Sequence, residues 1–339
     1  MRRLGLGALA LLLLAAWPGA AAGQGGSTIQ HVTRENGHTL RVRVHGSVEF
    51  TDDDRGIRSV SRGGRVTLEE SFRGGPHRRA EFWSTASGEL RRAYYLDGEA
   101  HAFDADARAW VERTLEGMAR ESAVGAERRV ARLRQRGGVP AVLGYVRDIR
   151  SDGAKRAYYV ALLRSGGLSG AEVASVLEDA GRRIDSDGET RYVLKTALDQ
   201  GLRGREAWAG FFRAAGGIDS DGEARYLLAA AAAGAPLDDD AVRRDFFRAT
   251  GEIDSDGERR YVLTAVLRRS GVGPALAADV LRSAGGISSD GEKAYVLVQV
   301  PRALLAHRAV GDAYLAAAEG IGSDGERSRV LTHLARSRP

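Results

Sequence analysis

No cysteine occurs in the 339 residues. That absence excludes disulfides, a thiol nucleophile, thiolate metal sites and a lipid-anchored cysteine. Lysine is nearly missing too. Only Lys155, Lys195 and Lys293 stand among 50 basic residues. We attribute the arginine bias, beside so much alanine and glycine, to a GC-rich coding composition rather than to a binding patch. The net charge is +5, of which Arg2 and Arg3 supply two. So small a charge on a chain of this length does not point to nucleic acid.

Catalytic signatures are also lacking. The chain has no His-Glu-x-x-His, no Gly-x-Ser-x-Gly, no Walker loop and no Gly-x-Gly-x-x-Gly. Its histidines are His31, His38, His45, His77, His101, His307 and His333, and no two have metal-ligand spacing on one helix. His38 and His45 flank one expected strand and could converge with His31 or His101. Trp83, Trp110 and Trp208 are expected in cores. No cofactor and no catalytic residue is expected.

What is present is a short phrase written six times. Ser-Asp-Gly begins at Ser151, Ser186, Ser220, Ser255, Ser289 and Ser323. The steps are 34 or 35 residues, a period that means a repeat architecture. Five copies continue with glutamate: Glu189, Glu223, Glu258, Glu292 and Glu326. Ser-x-x-Glu before an apolar run reads as a capping box, with the serine accepting from the first helical turn and the glutamate reaching back to the serine N–H. Apolar residues follow seven, eight and eleven residues after each serine, as in Val193, Leu194 and Ala197. These offsets share one helix face. A second helix fills the rest of each repeat, as over 171–180, 206–215, 240–249 and 275–284, and glycines such as Gly166, Gly201 and Gly271 end the first helices. Helix, turn, helix, turn at this period is an α-solenoid unit.

Calcium is the rival reading of Asp185-Ser-Asp-Gly-Glu189. The first aspartate is replaced by Arg150, Ser288 and Gly322 in other copies, while the serine and second aspartate never vary. An EF-hand glutamate would fall where Leu194, Leu228 or Leu263 stands. Capping accounts for that pattern and metal ligation does not.

Taken in order, residues 1–22 read as a secretory signal peptide: Arg2-Arg3, an apolar stretch from Leu4 to Trp17, and a cut after Ala20-Ala21-Ala22. Residues 23–29 are a flexible lead-in. No later stretch is expected to span a membrane, so the mature chain is expected to be periplasmic or secreted. From 30 to 103 the period is two, as in Leu40, Val42 and Val44 against Arg41, Arg43 and His45. Glycine-rich turns punctuate it. This predicts a domain of five or six antiparallel strands in meander order, one face arginine-rich and solvated. Residues 104–123 form a connecting helix, and 124–339 the solenoid. Arg128, Arg129, Arg132, Arg134 and Arg136 are read as a solvated helix face. The fold class is therefore α+β: a small antiparallel β-sheet domain, then a solenoid of about six helix-turn-helix repeats.

One recurrence bears on function. Six residues after the serine stands a tyrosine in four consecutive copies: Tyr192, Tyr226, Tyr261 and Tyr295. Arg191, Arg225 and Arg260 precede three of them, and Thr196, Thr264, Arg268, Arg302 and Arg336 share the stripe. The position lies nearly opposite the apolar face. Either the tyrosines form a recognition surface with the arginines or they pack between neighbouring first helices.

Ile-x-Ser-Asp-x-Glu followed by Val-Leu, as from Ile287 to Leu297, resembles helical repeats of exported or membrane-anchored bacterial proteins. Among them is the segment appended to BlaR-type antibiotic-sensor metallopeptidases, whose peptidase motif is absent here. The segment also resembles HEAT and tetratricopeptide solenoids, and that resemblance implies protein binding. The expectation is an exported, non-enzymatic scaffold for a protein or peptide, with no nucleic acid partner. The alternatives are a component of an envelope stress or antibiotic sensor, and an enzyme whose site lies in the β domain.

Overall fold

A computed structural model describes residues 28–35 and 37–336. The expected leader and the lead-in up to Ser27 lie outside the described residues. Thr28 and Ile29 belong to the first strand rather than to the lead-in. The chain divides into two compact units, one up to Glu116 and one from Gly117 on.

The first unit holds eight described strands: β1 (Thr28–Glu35), β2 (His38–His45), β3 (Val48–Phe50), β4 (Ile57–Val60), β5 (Arg65–Phe72), β6 (His77–Ser84), β7 (Leu90–Leu96) and β8 (Glu99–His101). Six make one antiparallel sheet in the order β1-β2-β5-β6-β7-β8. The meander is interrupted once. β3 and β4 pair only with each other, so β2 lies beside β5. These strands are too short to add a row to the sheet, and they bury Val48, Phe50, Ile57 and Val60 instead.

Alternation places the side chains. Val42, Leu68 and Ala80 form one cross-strand row and Val44, Val66 and Phe82 the next, all buried. Helix α1 (Ala105–Ser122) brings buried Trp110 to this unit, with its ring 5.9 Å from that of Tyr94. The core row also carries Glu70. Its carboxylate accepts from Trp110 Nε1 at 2.6 Å and pairs with His38 Nε2 at 2.9 Å, so the acidic group is satisfied.

In the second unit α2 (Ala126–Val146) leaves helical geometry at Gly137 and Gly138. The repeats follow as α3 (Asp152–Arg164), α4 (Gly170–Arg183), α5 (Asp187–Asp199), α6 (Arg205–Ala215), α7 (Asp221–Gly234) and α8 (Asp240–Gly251). Then come α9 (Asp256–Leu267), α10 (Pro274–Gly285), α11 (Asp290–Leu297), the one-turn α12 (Arg302–Leu305), α13 (Arg308–Glu319) and α14 (Asp324–Ala335). First helices pack in the order α3, α5, α7, α9, α11, α14, and second helices α4, α6, α8, α10, α13 form another layer. The residues seven and eight after the serine are buried in copies two to five, for example Val262 and Leu263. Gly166, Gly201 and Gly271 take positive φ of 70°, 74° and 74° just past the first helices.

Every first helix begins directly after its serine. The hydroxyl accepts from the N–H three residues on at Ser151, Ser186, Ser255, Ser289 and Ser323, at 3.3–3.5 Å. Ser220 makes no such bond. The expected reciprocal box is absent as well from all five copies that carry the glutamate. It occurs at Ser169 and Glu172 of α4 instead. Ser255→Ala is therefore expected to cost about 1 kcal/mol, and Ser220→Ala only a few tenths, in urea unfolding. Equal losses at the two sites would contradict this assignment.

The arginine run of α2 also needs correction. Arg129 is buried, 3% exposed, and donates to the Ala119 and Val124 carbonyls and to the Tyr158 hydroxyl. It is a core cation. Two of the three lysines are buried for a similar reason. Lys155 Nζ donates to the Arg183 carbonyl at 2.6 Å and Lys293 Nζ to the Gly320 carbonyl at 3.1 Å, each at the C-terminal end of a second helix. A cation there meets the negative end of the helix dipole.

Candidate interaction face

The serine N–H that the box glutamate was expected to hold is held by the aspartate of the preceding copy. Asp152 Oδ2 accepts from Ser186 N at 3.0 Å, and Asp187 from Ser220 N at 2.8 Å. Asp221 accepts from Ser255 N at 2.7 Å, Asp256 from Ser289 N at 2.7 Å, and Asp290 from Ser323 N at 2.8 Å. Each aspartate thus serves its own helix dipole and fixes the entry of the next repeat. Glu121 of α1 does the same for the first copy, accepting from Ser151 N at 3.1 Å. Backbone donors also set the acidity of Asp290, whose carboxyl is lowered by the N–H groups of Ser323 and Gly322.

The glutamates, freed from capping, reach across to the preceding copy. Arg156 pairs with Glu189 at 3.0 Å. Arg191 pairs with Glu223, Arg225 with Glu258 and Arg260 with Glu292. Glu326 instead pairs with Arg329 of its own helix, at 3.3 Å.

The same four arginines lie over the tyrosines of the next copy. Their guanidinium carbons stand 4.8 Å from the Tyr192 ring centre, 5.2 Å from Tyr226, 4.7 Å from Tyr261 and 4.6 Å from Tyr295. The arginine next to a tyrosine in sequence therefore serves a different tyrosine. Adjacent residues on a helix diverge by about 100°, so Arg191 turns toward the following helix while Tyr192 turns outward. Arg156 belongs to the set and was missed in the sequence. A signal was present: a copy has the tyrosine only where the copy before it has the arginine. Copy six has Arg329 in place of tyrosine and follows Ala294 in place of arginine.

These contacts leave the tyrosines half open. Tyr192, Tyr226, Tyr261 and Tyr295 are 42%, 43%, 45% and 36% exposed. Their hydroxyls have no hydrogen-bond partner among the described residues. Neither sequence alternative holds unmodified, since one ring face meets an arginine and the rest faces outward. The glycine of each phrase lies four residues earlier, on the same helix face. A Cβ at Gly188, Gly222 or Gly291 would meet nothing within 4 Å, and one at Gly257 only Ser255 Oγ at 4.0 Å. The face is thus a row of rings beside a row of glycines with open space around them. Its four arginines are matched by four glutamates, while Arg268 and Arg302 on the same stripe are exposed.

The sheet offers a second feature. Arg43, His45, Arg65, Thr67, Glu69, Arg79 and Glu81 line an open groove of about 340 Å³ on the polar face. Its cations are largely engaged: Arg43 with Glu69 at 2.5 Å, Arg65 with Glu81 at 3.3 Å, and Arg79 on the Tyr95 ring at 4.1 Å. The proposed histidine convergence does not form around His38, which pairs with Glu70, and the His31 side chain lies outside the described residues. Among the described residues no group of three or more His, Asp or Glu is placed to hold a metal ion, and no helix is long and apolar enough to cross a membrane. Compared with protein-family models, curated proteins and solved structures, the chain matches none.

Proposed function

We propose that the chain is an exported, non-enzymatic scaffold whose repeat array binds a protein or peptide across the tyrosine row. The observation that carries this reading is the recurrence of four half-exposed tyrosines on one face of the array. Fold stability does not require them to stay open. Aromatics packed in the array, such as Phe211, Phe246 and Tyr314, are fully buried. Exposed aromatics with arginines are characteristic of binding energy concentrated in a few residues.

The test separates stability from binding. Tyr226→Ala and Tyr261→Ala each lose one exposed cation–π contact, an expected cost of about 0.5–1 kcal/mol. A buried aromatic would cost about 3–5 kcal/mol. Proteins captured from a periplasmic extract are then compared between the native chain and the double variant. A partner held by the native chain and lost at least tenfold by the folded variant supports the reading. An unchanged set of captured proteins, or losses above about 3 kcal/mol at each site, overturns it.

A further inference from the structure

We propose that the groove on the polar face of the sheet binds a small phosphorylated solute through its dianionic phosphomonoester group. The proposal is independent of the tyrosine row and starts from a charge imbalance. Arg41 and Arg43 both reach Glu69, at 3.4 and 2.5 Å. Arg65 and Arg79 both reach Glu81, at 3.3 and 3.5 Å. Four guanidiniums thus share two carboxylates, and two positive charges stay uncompensated. No other acidic residue of the described strands in this sheet shares the face, since the register puts Glu35, Glu70 and Glu99 on the opposite side. A coding bias toward arginine does not account for the imbalance. In the repeats Arg156, Arg191, Arg225 and Arg260 each have a glutamate of their own. Height matters as much as number. The Glu69 and Glu81 side chains are 16% and 15% exposed, whereas those of the four arginines are 34–55% exposed. An incoming ligand therefore meets guanidinium before carboxylate.

The hollow follows from side-chain length. Thr67 lies opposite Arg43 of β2 and Glu81 of β6, with Arg65 and Glu69 two residues away on its own strand. A short residue ringed by long ones leaves a space of about 340 Å³, at the lower end of small-ligand sites. Opposed Cβ atoms on neighbouring strands stand about 4.5–5.5 Å apart and diagonal ones about 7–8 Å. Arg43, Arg65 and Arg79 therefore rise around Thr67 from three strands. A tetrahedral oxyanion accepts from all these sides, whereas a planar carboxylate accepts mainly in its own plane. A phosphomonoester carries a charge of about −1.5 to −2 near neutral pH, so one group answers both surplus charges. Arginine forks pair with phosphate through two parallel N–H bonds. Each guanidinium has five N–H donors, and three hydrogen bonds to the two glutamates draw on the four of them. Arg65 lies 5.8 Å from the Trp83 ring centre and Arg79 4.1 Å from that of Tyr95. These rings hold two forks in place before a ligand arrives, which lowers the ordering cost of binding.

The probe is glucose 6-phosphate, titrated into the full chain without its leader. Glucose 6-sulfate has the same shape with one charge, succinate has two charges on planar groups, and glucose has none. Saturable binding of the phosphate ester is expected, at least tenfold tighter than that of the sulfate ester or succinate. Arg43→Gln with Arg65→Gln should weaken it at least tenfold. Arg43→Lys with Arg65→Lys should weaken it about threefold, because the charge stays and the fork is lost. Glu81→Gln should tighten it about threefold by releasing Arg65 and Arg79, a gain that a merely structural role for these ion pairs would not produce. Arg213→Gln with Arg282→Gln, on exposed arginines of α6 and α10, should leave it unchanged. Melting curves accompany each variant. Should the glutamine pair unfold, the lysine pair and Glu81→Gln decide. No saturable binding of glucose 6-phosphate, equal binding of succinate, indifference to the Arg43 and Arg65 variants, or no gain in folded Glu81→Gln each overturns the proposal. Single-stranded DNA and vesicles containing an anionic phospholipid are titrated alongside. Binding of either one without binding of glucose 6-phosphate would overturn the small-solute class.

Discussion

Asp221→Ala is expected to destabilise the array by about 3 kcal/mol and to split its unfolding into two steps. The carboxylate accepts from Asp254 N at 3.1 Å and from Ser255 N at 2.7 Å, both in the loop that enters α9. Hydrogen bonds to charged groups are worth about 1.5–3 kcal/mol each. Water can reach the more exposed Asp254 N–H and recovers part of its share. The Ser255 N–H is partly buried and is left short of an acceptor. In a linear array each repeat is stabilised by its own terms and by the joints to its neighbours. Weakening the central joint therefore uncouples α9–α14 from α3–α7 more than it weakens either half. Hydrogen exchange should show α9–α14 opening at lower free energy than α3–α7, and urea unfolding should lose its single transition. A loss below about 0.5 kcal/mol with one coincident transition would show that the aspartate row is incidental.

The joint at Asp290 carries an acid dependence whose sign follows from that residue's backbone donors. Its folded-state carboxyl is lowered by the Ser323 and Gly322 N–H groups. A depressed carboxyl contributes stability in full above its unfolded value, about 3.9. That contribution disappears as pH falls through the folded value. Acid should therefore loosen the α11–α14 joint, and Asp290→Asn should remove this part of the pH dependence.

Much of the architecture was legible because it is local. A serine before a helix, apolar residues at seven, eight and eleven, and a glycine at the end all act within one repeat. The joints were not, because they run from one copy to the next. Arg191 beside Tyr192 looks like a pair, yet the residue over Tyr192 is Arg156, 36 positions earlier. Likewise Glu189 looks like the serine's partner, and the Arg156 guanidinium holds it instead. In the sheet, alternation gave the buried Val42 and Val44 of β2. Nothing in the period shows that β3 and β4 leave the sheet, since three- and four-residue strands carry too few alternations. Charge pattern likewise cannot show which arginine of α2 turns inward. Arg129 does so because the Tyr158 hydroxyl and two carbonyls wait there.

Gly210→Leu is expected to cost about 3 kcal/mol, the upper end of the overpacking range. A Cβ at Gly210 would stand 2.6 Å from Ala174 Cα, 2.8 Å from its Cβ and 3.0 Å from its carbonyl oxygen. The nearest atoms belong to backbone, so no rotamer change can clear them. The contact is reciprocal, because a Cβ at Gly181 of α4 would stand 3.2 Å from Ala214 Cα of α6. Two glycines and two alanines thus let α4 and α6 approach face to face, and any larger residue must push the helices apart. That separation would also strain buried Phe211 and Phe212, which neighbour Gly210 on α6. Helix propensity runs the other way, since replacing a helical glycine by alanine is worth about 1 kcal/mol. Gly222→Ala, with open space around its Cβ, should show that gain, up to about 1 kcal/mol, with nothing opposing it. Gly210→Ala should instead lose about 1–2 kcal/mol, because overpacking outweighs propensity there. Melting curves of the two alanine variants should therefore move in opposite directions. A stabilising Gly210→Ala would mean that α4 and α6 are not in close contact, and the second-helix layer would have to be redrawn.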